Sequence, residues 1–212
     1  MEILNFELPR IYPITDTRIS GISHAEQAKR LIAGGARLIE LREKHAASLE
    51  FYLSAEEVIR IAEANNVAVL INDRVDVALA VGAAGVHLGQ DDMPPEKARE
   101  ILGKDAIIGY STHSVEQARL ALQLPIDYLA AGPIFQTLSK ADPDAVLGLA
   151  GLREIRDATG EFPLVAIGGI TAADLDPVFG SGADSAAVIG AVLADPDRIE
   201  QVMRKFLESH PA

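Results

Sequence analysis

One short run, Gly132-Pro133-Ile134-Phe135-Gln136-Thr137-Leu138-Ser139-Lys140, concentrates more chemistry than any other part of the chain. A Gly-Pro turn follows an apolar segment, and Thr137, Ser139 and Lys140 then place two hydroxyls and an ammonium close together, donors suited to the oxygen atoms of a phosphorylated ligand. Arg42 and Lys44 form a second group. Two positions apart on an extended chain, they share a side and can grip one polyanion, or they can pair with Glu40 or Glu43. Asp73 and Asp92 are a candidate carboxylate pair for Mg²⁺ that also binds phosphate oxygens, although each alone reads more readily as a helix cap or a solvated turn than as a metal ligand. The segment Val165-Ala166-Ile167-Gly168-Gly169-Ile170-Thr171 combines exposed backbone N–H groups with Thr171 as a helix N-cap. His87 suits a core or a ligand-facing role, whereas His24, His45 and His210 read as surface residues. Ser111 and His113 lack an orienting acid and do not read as a nucleophile and its base.

These residues acquire a common purpose only if the chain brings them together. Short, continuously apolar segments alternate with helical patterns: 11–15, 38–42, 68–72, 85–88, 107–111, 128–132, 164–168 and 185–189. Such runs suit parallel strands covered on both faces. Ser23 with Glu26 and Ser114 with Gln117 fit capping boxes, and Asp195-Pro196 fits a capped helix start. Gly34-Gly35, Asn65-Asn66, Gly82 and Gly103 supply stops. Eight strands and eight helices in alternation predict an α/β fold, a single (β/α)8 TIM barrel of parallel strands spanning 1–212. In a barrel, the polar residues at the strand ends share one mouth. These are Glu40, Arg42 and Lys44; Asn72 and Asp73; His87, Gln90, Asp91 and Asp92; Ser111, Thr112 and His113; and Thr137, Ser139 and Lys140. Strands 7 and 8 end in Gly168-Gly169 and Ile189-Gly190, a backbone setting for phosphate. The loop 136–147 reads as a lid by length and composition.

Composition narrows the classes further. The chain has 212 residues, a formal charge of -12 and no cysteine. An acidic surface without a basic run argues against nucleic acid as a partner. The absence of thiols excludes disulfides, a cysteine nucleophile and thiolate zinc sites, which leaves a hard cation such as Mg²⁺ as the expected metal. No membrane-spanning run or leader pattern is present, so a cytoplasmic protein acting on small molecules is expected, with a homo-oligomer allowed.

The motifs Leu41-Arg42-Glu43-Lys44, Ile71-Asn72-Asp73-Arg74, Gly85-Val86-His87-Leu88-Gly89-Gln90-Asp91-Asp92, Gly109-Tyr110-Ser111-Thr112-His113, Gly132-Pro133-Ile134-Phe135 with Thr137, Ser139 and Lys140, and Ala166-Ile167-Gly168-Gly169-Ile170 resemble, in order and spacing, the thiamine phosphate synthase family. The likeness runs from Ile11 to Ile189. It implies a Mg²⁺-dependent transferase that joins 4-amino-5-hydroxymethyl-2-methylpyrimidine diphosphate to a thiazole phosphate, or its carboxylate, giving thiamine phosphate and pyrophosphate. The resemblance puts Arg42, Lys44, Asn72 and Lys140 on the pyrimidine diphosphate, with Ser111 holding that group. Asp73 and Asp92 would bind the metal, and Thr137, Ser139, Gly169, Ile189 and Gly190 the thiazole phosphate. Arg42, Lys44 and Lys140 would act in catalysis by neutralising the leaving group. Glu40 stands where the family usually has glutamine, Ser139 where it has threonine, and Gly190 where it has serine. The alternatives are the related thiazole tautomerase, which needs no metal, and a non-catalytic barrel that binds phosphometabolites.

Overall fold

The computed structural model describes residues 8–137 and 144–210. Its centre is a closed barrel of eight strands in sequence order, each parallel to both neighbours. The strands are β1 (Ile11–Thr15), β2 (Leu38–Leu41), β3 (Ala68–Asn72), β4 (Gly85–Leu88), β5 (Ile107–Thr112), β6 (Tyr128–Ala131), β7 (Leu164–Ile167) and β8 (Ser185–Val188). The expected (β/α)8 architecture is thus observed, with strand boundaries shifted by at most one residue.

The helices are more divided than the simple alternation predicts. They are α1 (Thr17–Ser20), α2 (His24–Ala33), α3 (Ser48–Glu63), α4 (Val75–Val81), α5 (Pro95–Leu102), α6 (Val115–Ala121), α7 (Gly148–Thr159), α8 (Leu175–Gly180), α9 (Gly190–Leu193) and α10 (Ile199–Ser209), with 3-10 turns at Ala172–Asp174 and Pro196–Arg198. The short α1 exists because the Asp16 side chain accepts from the N–H groups of Arg18 and Ile19, capping a turn before the main helix begins. Ser23 caps α2 through the Glu26 N–H. Ser114 caps α6 through the Gln117 N–H, but the Gln117 side chain accepts from His113 N instead of completing a box on Ser114. Asp195 sits at the expected N-cap but makes no side-chain cap bond, and Pro196 opens a 3-10 turn.

Strand periodicity explains why both faces read as apolar. Ile11, Ile39, Leu41, Val69, Ile71, Val86, Leu88, Ile108 and Leu129 face the helices, whereas Tyr12, Ile14, Leu38, Leu70, Tyr128, Ala130, Val165 and Ala187 fill the interior. At ~25 cal/mol per Å² of apolar surface removed from water, this two-sided burial is the main force closing the barrel. At the N-terminal end, charges are fully answered. Asp127 accepts from Arg99 and from the Ile108 N–H, each at 2.7 Å. Asp184 accepts from Arg156 at 2.5 Å and from the Leu164 N–H at 2.8 Å. Among the described residues, no helix is long and apolar enough to cross a membrane.

Candidate active site at the barrel mouth

The opposite end is built differently. Alternation along β2, β3, β4 and β5 turns Glu40, Asn72, His87 and Ser111 inward, above the apolar interior. The Asn72 amide nitrogen is buried and has no hydrogen-bond partner. An unanswered buried donor costs about 1–3 kcal/mol, so its presence in a mouth otherwise closed by hydrogen bonds marks a place for a ligand acceptor.

Beside it, the chain turns sharply. Asp73 adopts a left-handed backbone with φ of 61°, held by its N–H donating to the His87 carbonyl at 2.8 Å. That conformation, uncommon for any residue but glycine or asparagine, brings its carboxylate to the Lys44 ammonium and within hydrogen-bond reach of the Asp92 carboxyl. Asp73 therefore caps no helix. Asp92 does take part in a local turn, accepting from Gly89 N at 2.7 Å. Burial raises its proton affinity, and the adjacent Asp73 raises it further against the lowering by Gly89. Two carboxylates this close repel unless a proton or cation lies between them, and this donor set fits a hard divalent ion. No group of three or more His, Asp or Glu side chains suited to a metal occurs among the described residues, so water or ligand oxygens would complete its coordination.

Arg42 is paired, but with neither Glu40 nor Glu43. Its guanidinium contacts Asp16 at 2.5 Å, and its N–H donates to the Thr15 hydroxyl. The sequence signal for Asp16 is its position directly after β1, at the same end of the barrel as the other polar strand-end residues. His24 is also buried, contrary to expectation. Its imidazole contacts Thr15 Oγ1 at 2.8 Å and Glu43 Oε2 at 3.3 Å. Glu43 further accepts from Thr17 and from the N–H groups of His45 and Ala46. This cluster borders a cavity of about 290 Å³, and its saturated carboxylate staples the β1 and β2 loops that carry Asp16, Arg42 and Lys44. His45 is exposed as expected; His210 is half-buried against Phe179 and Asp176.

Glu40 is 1% exposed. Burial first, and the Asp73 carboxylate second, push its pKa from 4.5 up to about 8, against the pull of Arg42 and Lys44. A neutral acid is therefore its main form at pH 7, and the side chain resembles an amide in shape and charge. Its carboxyl accepts a hydrogen bond from Tyr12 at 3.5 Å. His87 is neutral too: burial lowers its pKa to about 4. It spans Tyr128 at 2.9 Å and Ser111 at 2.8 Å, so it supports a mouth residue from below. Tyr12 and Tyr128 were missed because an aromatic in an apolar strand carries no sign of facing a polar layer.

On the far side, the β6 and β7 loops lie against each other. Ile134 N donates to the Ile167 carbonyl and Phe135 N to the Gly168 carbonyl, each at 2.9 Å. Gly168 and Gly169 have φ of 101° and 67°, and a Cβ on them would meet Pro133 at 2.6 Å and the Gln136 carbonyl at 2.4 Å. Only glycine permits both the backbone and the approach, which sets Thr137 beside the end of β7. The Gly132-Pro133 peptide is cis. Asp174 accepts from the Thr171 N–H and hydroxyl, confirming a cap there. Ile189 precedes α9, whose first N–H groups, including that of Gly190, have no acceptor within the helix. Ser139 and Lys140, with half of the expected lid, lie outside the described residues.

The comparisons with known proteins bear on this mouth directly. Residues 11–192 match the family model for thiamine monophosphate synthase. The chain belongs to that family. It is 46% identical over 210 residues to the thiamine-phosphate synthase of Koribacter versatilis, covering 96% of this chain and 98% of that one. A Clostridium novyi relative of the same name is 45% identical over 189 residues, 89% of this chain and 92% of its own. The solved thiamine phosphate pyrophosphorylase from Pyrococcus furiosus superposes with a TM-score of 0.84 at 37% identity, covering 96% of this chain and 97% of that chain.

Proposed function

We propose that this enzyme joins 4-amino-5-hydroxymethyl-2-methylpyrimidine diphosphate to 4-methyl-5-(2-phosphooxyethyl)thiazole, or its carboxylate, releasing pyrophosphate. The observation that carries this reading is the Asp73–Asp92 carboxylate pair beside the unpartnered Asn72 amide, with Lys44 and Arg42 at hand. Asp73 and Asp92 would hold Mg²⁺, which when bound supplies positive charge to a diphosphate.

The chain's own residues account for the rest. The bond between the pyrimidine methylene and the diphosphate oxygen breaks with its electron pair leaving on oxygen. The electron-rich aminopyrimidine spreads the resulting positive charge, and the thiazole nitrogen then forms the new C–N bond. No protein nucleophile is required. Arg42 and Lys44 are each held by a carboxylate; a diphosphate would exchange these contacts for its own oxygens. Lys140 would add a third cation, and Ser111 and Asn72 would donate to the pyrimidine diphosphate. A neutral Glu40 can accept from and donate to the aminopyrimidine without repelling the diphosphate. Thr137, Ser139 and the backbone of Gly169, Ile189 and Gly190 would position the thiazole phosphate, so that the acceptor is in place when the leaving group departs. The tautomerase alternative has no use for a carboxylate pair beside a lysine ammonium.

The test incubates purified protein with both substrates and Mg²⁺ and measures thiamine phosphate as its fluorescent oxidation product. Product is expected with Mg²⁺ and absent with EDTA. Folded protein that binds the thiazole phosphate but forms no product would sink the reading; EDTA-resistant product would remove the metal from it.

A further inference from the structure

His113 stands directly after β5 and joins the strand ends on the far side of the mouth. Its N–H donates to the Gln117 side chain at 2.7 Å, which fixes the residue against the start of α6. Its ring Nδ1 lies 2.6 Å from the Gly132 carbonyl oxygen, directly after β6. A carbonyl oxygen can only accept, so Nδ1 carries a proton and donates it. The other ring nitrogen, Nε2, lies 3.5 Å from Asp144 Oδ2, a contact that attracts only when Nε2 is protonated too. The bond to Gly132 does not depend on that second proton, because Nδ1 donates in the neutral ring and in the charged one alike.

We propose that His113 is a positioning residue for the thiazole side of the reaction: its Nδ1–H bond to the Gly132 carbonyl sets where the loop after β6 places Thr137, and so shapes the seat of the thiazole phosphate. The inference rests on the functional reading above, in which Thr137 and the backbone of Gly169 hold that phosphate.

The argument starts from what else could hold Gly132. The residue is buried, and among the described residues its carbonyl accepts from His113 alone. Its own N–H donates to the Thr112 carbonyl at 3.2 Å, so consecutive residues at the end of β5 grip it from both sides of its Cα. Removing the imidazole leaves a buried acceptor unanswered, a state that the chain relieves by turning the peptide toward water. Gly132 cannot relax toward β7, because a Cβ there would already fall 2.4 Å from the Ile167 carbonyl oxygen. The adjustment passes instead into the residues that follow.

Those residues lead straight to the phosphate side. The Pro133 carbonyl accepts from Leu147 N at 2.8 Å, and the N–H groups of Ile134 and Phe135 donate to Ile167 and Gly168 at 2.9 Å. The Gln136 carbonyl then lies so close to Gly169 that a Cβ would meet it at 2.4 Å. Residues 133–136 are thus seated one after another on the end of β7, and a shift at Gly132 reaches both Thr137 and Gly169. The diphosphate side is uncoupled from this route: Arg42, Lys44, Asn72, Asp73 and Asp92 stand after β2, β3 and β4, and none of them shares a hydrogen bond or ion pair with His113.

Asparagine and glutamine separate the two ring contacts, since the amide nitrogen of asparagine takes the place of Nδ1 and that of glutamine the place of Nε2. His113→Gln and His113→Ala should raise KM for the thiazole phosphate by about five- to tenfold, the worth of one hydrogen bond, with KM for the pyrimidine diphosphate unchanged. His113→Asn keeps a donor for Gly132 and should stay within about twofold of wild type. Equal rises in both KM values, a His113→Gln enzyme with the wild-type thiazole phosphate KM, or His113→Asn as impaired as His113→Ala overturns the proposal. Variants that melt at the same temperature yet differ in this KM cannot differ through the fold. In wild-type protein, NMR should show a proton on His113 Nδ1, assigned by its loss in His113→Ala; a bare Nδ1 overturns the proposal without reference to activity. Absence of turnover by wild type would refute the function, and calorimetric binding of the thiazole phosphate would then rank the same four proteins. Failure of wild type to bind it overturns both readings.

Discussion

Glu40→Gln gives the sharpest test of the electrostatics of the mouth. The buried carboxyl titrates near 8 in the folded chain, against an ordinary value of 4.5. Between those two values the folded protein holds a proton that the unfolded chain has released. The stability associated with the neutral acid is therefore complete below pH 4.5 and is lost as pH rises through about 8. At ~1.4 kcal/mol per pH unit, the loss is about 2 kcal/mol at pH 6 and levels off at roughly 5 kcal/mol above pH 8. Glutamine has the same shape and cannot ionise, so it removes the loss. The melting temperature of Glu40→Gln minus that of wild type should then widen by about 6–12 °C between pH 6 and pH 9 for a chain of this size. Calorimetry should be run without divalent cations, because a cation on Asp73 weakens the second contribution to the shift. An alkaline fall in kcat/KM, present in wild type and absent in the variant, would accompany it, since ionised Glu40 repels the diphosphate. A melting difference that is the same at both pH values would refute the reasoning.

Asn72→Leu removes an unanswered buried amide and should leave the ligand-free protein as stable as wild type or more so, while product formation falls about 10- to 100-fold from the lost bond to a charged ligand. Equal losses in melting temperature and turnover would mean that Asn72 serves the fold. Gly109→Ala forces a methyl onto Tyr128 and His87 and should cost about 1–3 kcal/mol in urea denaturation, with turnover falling as well because both rings must move; an unchanged midpoint would show that the interior yields at no cost.

How much of this was legible depends on which physical signal each residue carries. The barrel was readable because a strand buried on both faces must be apolar throughout, and because glycine and capping residues punctuate the helices between strands. Arg42, Lys44, Asn72, Asp73 and Asp92 were readable because polar groups at the ends of apolar strands have few structural uses, and parallel closure makes those ends converge. The partners were not readable. Asp16 reaches Arg42 through a turn that its own cap creates, and His24 is buried because Thr15 and Glu43 answer both ring nitrogens; neither pairing has a period or spacing in the sequence. Glu40 shows the deeper reason. Read as a charge, it threatens a diphosphate site. Its neutrality arises from burial in the closed barrel and from Asp73, at the turn after β3, which opposes ionisation; the assembled barrel supplies both. A residue type states what a side chain can donate or accept, but the protonation state that decides its use is a property of the assembled interior.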